Sequence, residues 1–297
     1  MVHHFLVLGI DSGYLLTQIL NGLMFGMTLV LISIGLSIIF GTMGIINFAH
    51  GDILLVGTYV AWMLTVATGS IAVGIVGAGL VTAILGMGIE RFTLRYTYGH
   101  GPLLQLLLTF GLAELLRGTV QIVWGRLGKN FATPTWGAGS VDLVLLTYPA
   151  YRLFVIGVAA ALVVATYLFI TRTDIGLIIR AGTQNRQMVD ALGIDVSKMF
   201  LIVFAIGAGI AGALIGPIFG VYPTLGVEFL IIAFVVVIVG GVGSFRGSIV
   251  AGLLIGQVVV LTGVLYSPAS DVIVYVLMAG ILLLRPRGLF GKEGVIG

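Results

Sequence analysis

The chain has 297 residues, of which 59% are hydrophobic and only 8% charged, with a net charge of +3 and a mean hydropathy of +1.22. That balance excludes an ordinary soluble domain and implies a polytopic membrane protein. With no cysteine, structural disulfides and thiolate metal sites are excluded as well.

The opening MVHHFLVLGIDSG lacks the basic flank and small-residue cleavage site of a signal peptide, so the first hydrophobic segment is expected to be a retained span. Hydrophobic runs follow at 14–40, 48–66, 71–89, 103–124, 153–170, 199–222, 229–242, 249–266 and 272–284. This predicts an all-α fold of about eight to nine transmembrane helices, since a bilayer needs ~20 apolar residues per helix. No stretch is polar enough for a separate soluble domain. The reading is one transmembrane domain over 1–297, with a first half at 14–124, a second at 153–284 and an intracellular loop at 171–198.

The informative stretch of the first half is GLSIIFGTMGIINFAHGDILLVGTYVAW, 35–62. It sets Asn47, His50 and Asp52, with Gly41, Gly44 and Gly51, where a hydrophobic run would otherwise continue. Polar groups at membrane depth are tolerated when they face protein or water, and irregular backbone only where it is shielded from lipid. The segment 48–66 is read either as a full span or as a half-helix. His50 and Asp52 lack partners at metal-ligand spacing, so no metal site is assigned, and no nucleophile has a base and an orienting group, so no catalytic residue is assigned. Farther on, Glu114 and Arg117 share one helix face and are expected to neutralise each other inside 103–124.

Orientation follows from the basic residues. Alternating the spans with the C-terminus inside places Arg91, Arg95, Arg172, Arg180, Arg186, Lys198, Arg246, Arg285, Arg287 and Lys292 in the cytoplasm, and only Arg126, Lys129 and Arg152 outside. The N-terminus is then external, as is the loop 125–152, whose Trp136, Tyr148 and Tyr151 fit a membrane–water interface. In the inner loop 171–198, Thr183 or Asn185 is expected to cap a short helix through 188–192 that Gly193 ends. Met188, Ala191, Leu192 and Ile194 form its apolar face, and Arg180, Arg186, Asp190 and Asp195 rim it. Such a helix wants a partner.

Two ends of the chain share a pattern. IFG at 39–41, Asn47-Phe48 and a hydrophobic segment are matched by IFG at 218–220, Glu228-Phe229 and a hydrophobic segment, in opposite orientations. Inverted repeats with broken helices have this form, although glycine-rich apolar sequence also matches by chance. Glycines at GxxxG spacing (Gly22 and Gly26; Gly212, Gly216 and Gly220; Gly252 and Gly256) read as packing faces. GGVGSFRGS at 240–248 lacks the GK[ST] ending of a phosphate loop and reads as a tight inner turn. No nucleotide site and no cofactor are assigned.

The segments GLSIIFGTMGIINFAHGDILLVGTYVA, RAGTQNRQMVDALGID and GPIFGVYPTLGVEFLIIAFVVVIVGGVGSFRGSIVAG resemble the permease subunit of branched-chain amino-acid ABC importers, the smaller of its two paralogous permeases. The resemblance runs along nearly the whole chain. It implies a multi-pass subunit of a bacterial inner membrane, without enzymatic activity of its own. It also implies a paralogous second permease, two cytoplasmic ATPases that hydrolyse ATP and a periplasmic substrate-binding protein, in contact with lipid and not with nucleic acid. Arg180, Ala181, Asp190, Ala191, Leu192, Gly193 and Ile194 match the loop that seats in the ATPase. Asn47, His50, Gly51, Gly240, Gly241 and Gly243 match signature turns, and Asp52 and Glu228 join them as pathway candidates.

The function implied is import of leucine, isoleucine and valine. Relatives with a similar core move urea, short amides or other amino acids. A self-sufficient ion-coupled carrier is the contrasting reading, for which Asp52, Glu114 and Glu228 are the candidate ion sites. Placing Asp52 and Glu228 near span ends speaks against it.

Overall fold

A computed structural model describes residues 12–98, 100–184, 186–194 and 212–291. Among them, seven helices are long and apolar enough to cross a membrane. These are α1 (Ser12–Met43), α2 (Ala49–Thr68), α3 (Ile71–Phe92, prolonged by a 3₁₀ turn at Leu94–Thr97), α4 (Pro102–Trp124), α5 (Ala150–Arg172), α10 (Phe245–Leu265) and α11 (Ser270–Leu284). A shorter apolar helix, α9 (Leu225–Gly240), accompanies them. Two shorter helices, α6 (Asp174–Gln184) and α7 (Arg186–Ala191), and a single turn, α8 (Gly216–Phe219), complete the set. The protein is an all-α polytopic membrane protein.

Local chemistry explains the boundaries. Pro102 opens α4, where its missing N–H and fixed φ are harmless. Ser244 accepts from the Gly247 N–H to cap α10. Gly69, at φ 71°, ends α2 in the left-handed region and turns the chain into α3.

The packing centre is the pair α1 and α10, joined by the glycines predicted to form faces. A Cβ on Gly26 would sit 3.0 Å from the Leu253 Cα, and one on Gly22 or Gly256 would collide with Gln257 or with Gly26. Close backbone approach of this kind stands in for the hydrophobic effect, which gives no attraction between helices in lipid. Around this pair α1, α2, α5, α9 and α10 share one apolar cluster, while α11 is almost wholly on the outside.

One alternative is decided and two regions gain detail. The run at 48–66 is a complete span, α2, not a half-helix. Of the run at 199–222, residues 199–211 lie outside the described residues, and 212–222 is bent, with one helical turn at α8 before an extended stretch. The outer loop carries an antiparallel hairpin, β1 (Ser140–Leu143) and β2 (Leu146–Pro149), with Ser140 opposite Pro149.

That loop also folds inward. The Lys129 N–H donates to the Val221 carbonyl at 2.7 Å, and the Trp62 indole to that of Asn130 at 3.1 Å. Tyr148 and Tyr151, expected at the lipid interface, are buried instead. The Tyr148 hydroxyl reaches Asn21 Oδ1 at 3.1 Å, where Arg152 Nη1 also donates at 2.6 Å, and burial pushes its phenol above the ordinary range. Of the three aromatics, Trp136 alone is substantially exposed.

Candidate functional site

The polar stretch at 44–52 packs against the middle of α4. Three contacts bind it and the following turns of α2 to α4: the Thr109 hydroxyl donates to the Ile46 carbonyl at 3.2 Å, Arg117 pairs with Asp52, and the rings of Tyr59 and Trp124 pack tilted at 5.4 Å between centroids. The paired positions differ by 63, 65 and 65, so α2 and α4 run parallel and in register. Ala49 is therefore level with Glu114, about 18 Å along α4 from Pro102 at 1.5 Å per residue. The start of α2 is thus level with the middle of α4.

A helix start brings unpaired N–H groups and partial positive charge to that depth. Asn47 Oδ1 accepts from the Ala49 N–H at 3.0 Å. Asp52, in the first turn and fully buried, supplies the negative charge. Its two oxygens take a bidentate pair from Arg117, Nε at 3.1 Å and Nη2 at 2.9 Å. His50 Nε2 lies 3.2 Å from the Ile32 carbonyl of α1, so the ring donates there. Asn47 Nδ2, His50 Nδ1 and Ser37 Oγ are buried with no hydrogen-bond partner among the described residues. This is where the fold concentrates polar atoms it does not fully satisfy.

Gly51 explains how the second half reaches this point. A Cβ on Gly51 would overlap the Gly226 carbonyl oxygen, and a Cβ on Gly226 would overlap that of Gly51. The first turns of α2 and α9 therefore cross backbone to backbone, as corresponding pieces of the two matched sequence patterns. Just inward, a cleft of about 230 Å³ is lined only by apolar residues, among them Phe40, Phe48, Leu106, Phe234 and Val242.

The other predicted positions separate into three places. Glu228 is exposed on the first turn of α9, and its oxygens are held locally by Tyr222 (2.7 Å) and Thr224 (2.8 Å). It does not join the buried cluster at Asn47 and His50. Gly240, Gly241 and Gly243 sit at the inner end of α9, away from that cluster. There the Leu289 and Phe290 N–H groups donate to the Val239 and Gly240 carbonyls at 2.8 and 3.0 Å, satisfying the carbonyls that a helix end leaves free. A side chain on Gly243, which has φ 72°, would press on the Gly41 Cα at 3.0 Å, so this turn locks the inner ends of α1, α9 and the C-terminal segment together.

The inner loop forms two helices rather than one. Thr173 Oγ1 accepts from the Gly176 N–H at 3.0 Å at the start of α6. Thr183 lies inside α6 and is no cap, and Asn185 and Asp195 lie outside the described residues. Ile179 and Val189 are buried against Ile38, Phe169 and Tyr98, and Ile194 turns inward onto them. Leu192 (71%), Met188 (59%) and Ala191 remain exposed, with Arg180 and Ala181 exposed on α6. Gly193, at φ 74°, ends the second helix as expected. Tyr98 ties this cluster to α3 by donating to the buried Glu90 at 2.9 Å.

A family model described as a branched-chain amino acid transport system permease component matches residues 18–283. The chain belongs to that family. It is similar to the high-affinity branched-chain amino acid transport system permease protein LivH of Escherichia coli, 30% identical over 95% of this chain and 97% of the relative. It is equally similar to BraD of Pseudomonas aeruginosa, 30% identical over 94% and 97%. A probable branched-chain amino acid transport permease protein LivM of Methanocaldococcus jannaschii is 27% identical over 54% of this chain and 53% of its own length. No solved structure matches the chain.

For this permease, sequence reasoning missed the partner that matters most. Arg117 was assigned to Glu114 alone, and its Nη1 does reach Glu114 Oε1 at 2.9 Å. Its buried partner is Asp52, on a different helix. The signal was present: Asp52 had no cation near it, and α2 and α4 point the same way in the predicted frame. Parallel neighbours bring such charges level.

Proposed function

We propose that this chain is the membrane-spanning permease subunit of an ATP-driven importer of leucine, isoleucine and valine in a bacterial inner membrane. The observation that carries the reading is the match along almost the full length to LivH and BraD. The chain belongs to a family of transport permeases, not of enzymes. ATP hydrolysis is assigned to two cytoplasmic ATPases, substrate capture to a binding protein, and the second half of the pathway to a paralogous permease. The similarity to LivM supports such a paralogue.

In this reading the exposed apolar surface at Met188 and Leu192 docks on the ATPase. The buried residues beneath it, Ile179 and Val189, pass movement to Ile38 of α1 and Tyr98. Gly51 and Gly226 then form the pivot where the two halves, 14–124 and 153–284, bear on each other. The ion-coupled alternative loses ground for the expected reason and for a second one. Asp52 does lie at the start of its span, in the first turn of α2, and its charge is in addition already committed to Arg117.

The test is uptake into proteoliposomes containing this chain, its genetic neighbours for the second permease and ATPases, and the binding protein. ATP-dependent accumulation of labelled leucine, isoleucine and valine, competed by each other and not by urea, is the expected result. Uptake driven by an ion gradient without ATP, or specific for urea or amides, would overturn the assignment.

A further inference from the structure

The α4 helix holds a charge at mid-span that the described chain leaves uncovered. Glu114 is about 18 Å from Pro102 and about 15 Å from Trp124 along the helix, yet its side chain is 53% exposed. A carboxylate facing hydrocarbon at the bilayer centre is costly, and ionisable residues within spans almost always face protein or water. Arg117 does not cancel it. The guanidinium is bidentate on Asp52, leaving two carboxylates against one cation. On the same face, Gly111 and Gly118 have open space where a side chain would stand. By contrast, the exposed stripe of α3, at Val76, Leu80 and Ile84, is purely apolar, as lipid contact requires.

We propose that the α4 face centred on Glu114 and bounded by Gly111 and Gly118 seats a second, different membrane subunit that places a hydrogen-bond donor or cation against Glu114. The glycines let that subunit's helix approach closely, and its donor meets the uncompensated negative charge. A second copy of this chain does not fit, because a two-fold contact on this face would set Glu114 against Glu114. The inference rests on the reading that the permease works with a paralogue, and adds which face it uses and what it must present there.

The experiment uses the full complex, with single cysteines placed in this cysteine-free chain at Gly118→Cys and, as a control, Ile84→Cys, each carrying a benzophenone maleimide. Irradiation is expected to link position 118 to the second permease and position 84 to lipid. Glu114→Lys should lower the co-purified second permease at least tenfold, and Glu114→Gln much less, with the helical circular dichroism of both variants unchanged. Linkage from 84 instead of 118, linkage of two copies of this chain, or lipid adducts alone at 118 would each overturn the proposal. Failure of the unmodified chain to retain a second permease is a separate result, visible without irradiation, and overturns the underlying reading.

Discussion

At the start of α2 polar side chains are buried inside the helix bundle, and at α6 and α7 apolar side chains stand exposed. Both invert the usual arrangement, and the two inversions are held in place by different means. Asn47, His50 and Asp52 are kept by what surrounds them: an Arg117 clamp, a carbonyl of α1 and the crossing with α9. Met188 and Leu192 are held at short helices whose buried hydrophobic side chains, among the described residues, are Ile179 and Val189. The first region is over-determined by the bundle, and the second is the surface proposed to dock on the ATPase. Substitutions should therefore cost stability in the first and association in the second.

The sharpest break of this contrast is Arg117→Leu. It leaves the buried Asp52 carboxylate without a cation, a change that costs about 3–5 kcal/mol, and the purified protein should show a clear loss of thermal stability in detergent. Combining it with Asp52→Leu should restore much of that stability, because removing both charges avoids the uncompensated one. A double variant as unstable as the single one would show that the clamp is not the reason α2 starts where it does.

Leu192→Glu tests the other side. A carboxylate buried against an apolar groove costs on the order of 2–5 kcal/mol unless it finds a partner, so retained ATPase and substrate-stimulated hydrolysis should fall at least tenfold. The melting of the isolated permease should not move, since Leu192 is exposed in it. A fall in melting temperature with full ATPase retention would reverse the assignment of the two regions.

The smallest effect is expected from Asn47→Leu. Losing its bond to the Ala49 N–H costs about 1 kcal/mol, typical of a helix start, and labelled-leucine uptake should drop by more than this modest destabilisation explains. Unchanged uptake would make Asn47 and its unpaired amide an ordinary packing feature.

Much was legible in the chain because membrane folding leaves few options. Every backbone group must be satisfied within helices, so hydrophobic runs alone located the seven long helices, and their alternation makes α2 and α4 parallel. The glycine faces of α1 and α10 and the left-handed stop at Gly193 were also readable, since each follows from a residue's own geometry. Depth was not. That α2 begins level with Glu114, that Arg117 clamps Asp52, that Gly51 bears on Gly226 and that Tyr148 is buried under the outer loop all depend on how far one helix slides past another. Within lipid that offset carries no hydropathy signal, because every apolar residue is equally at ease along the span. It is set only when side chains of distant segments meet, and so only the tertiary structure decided it.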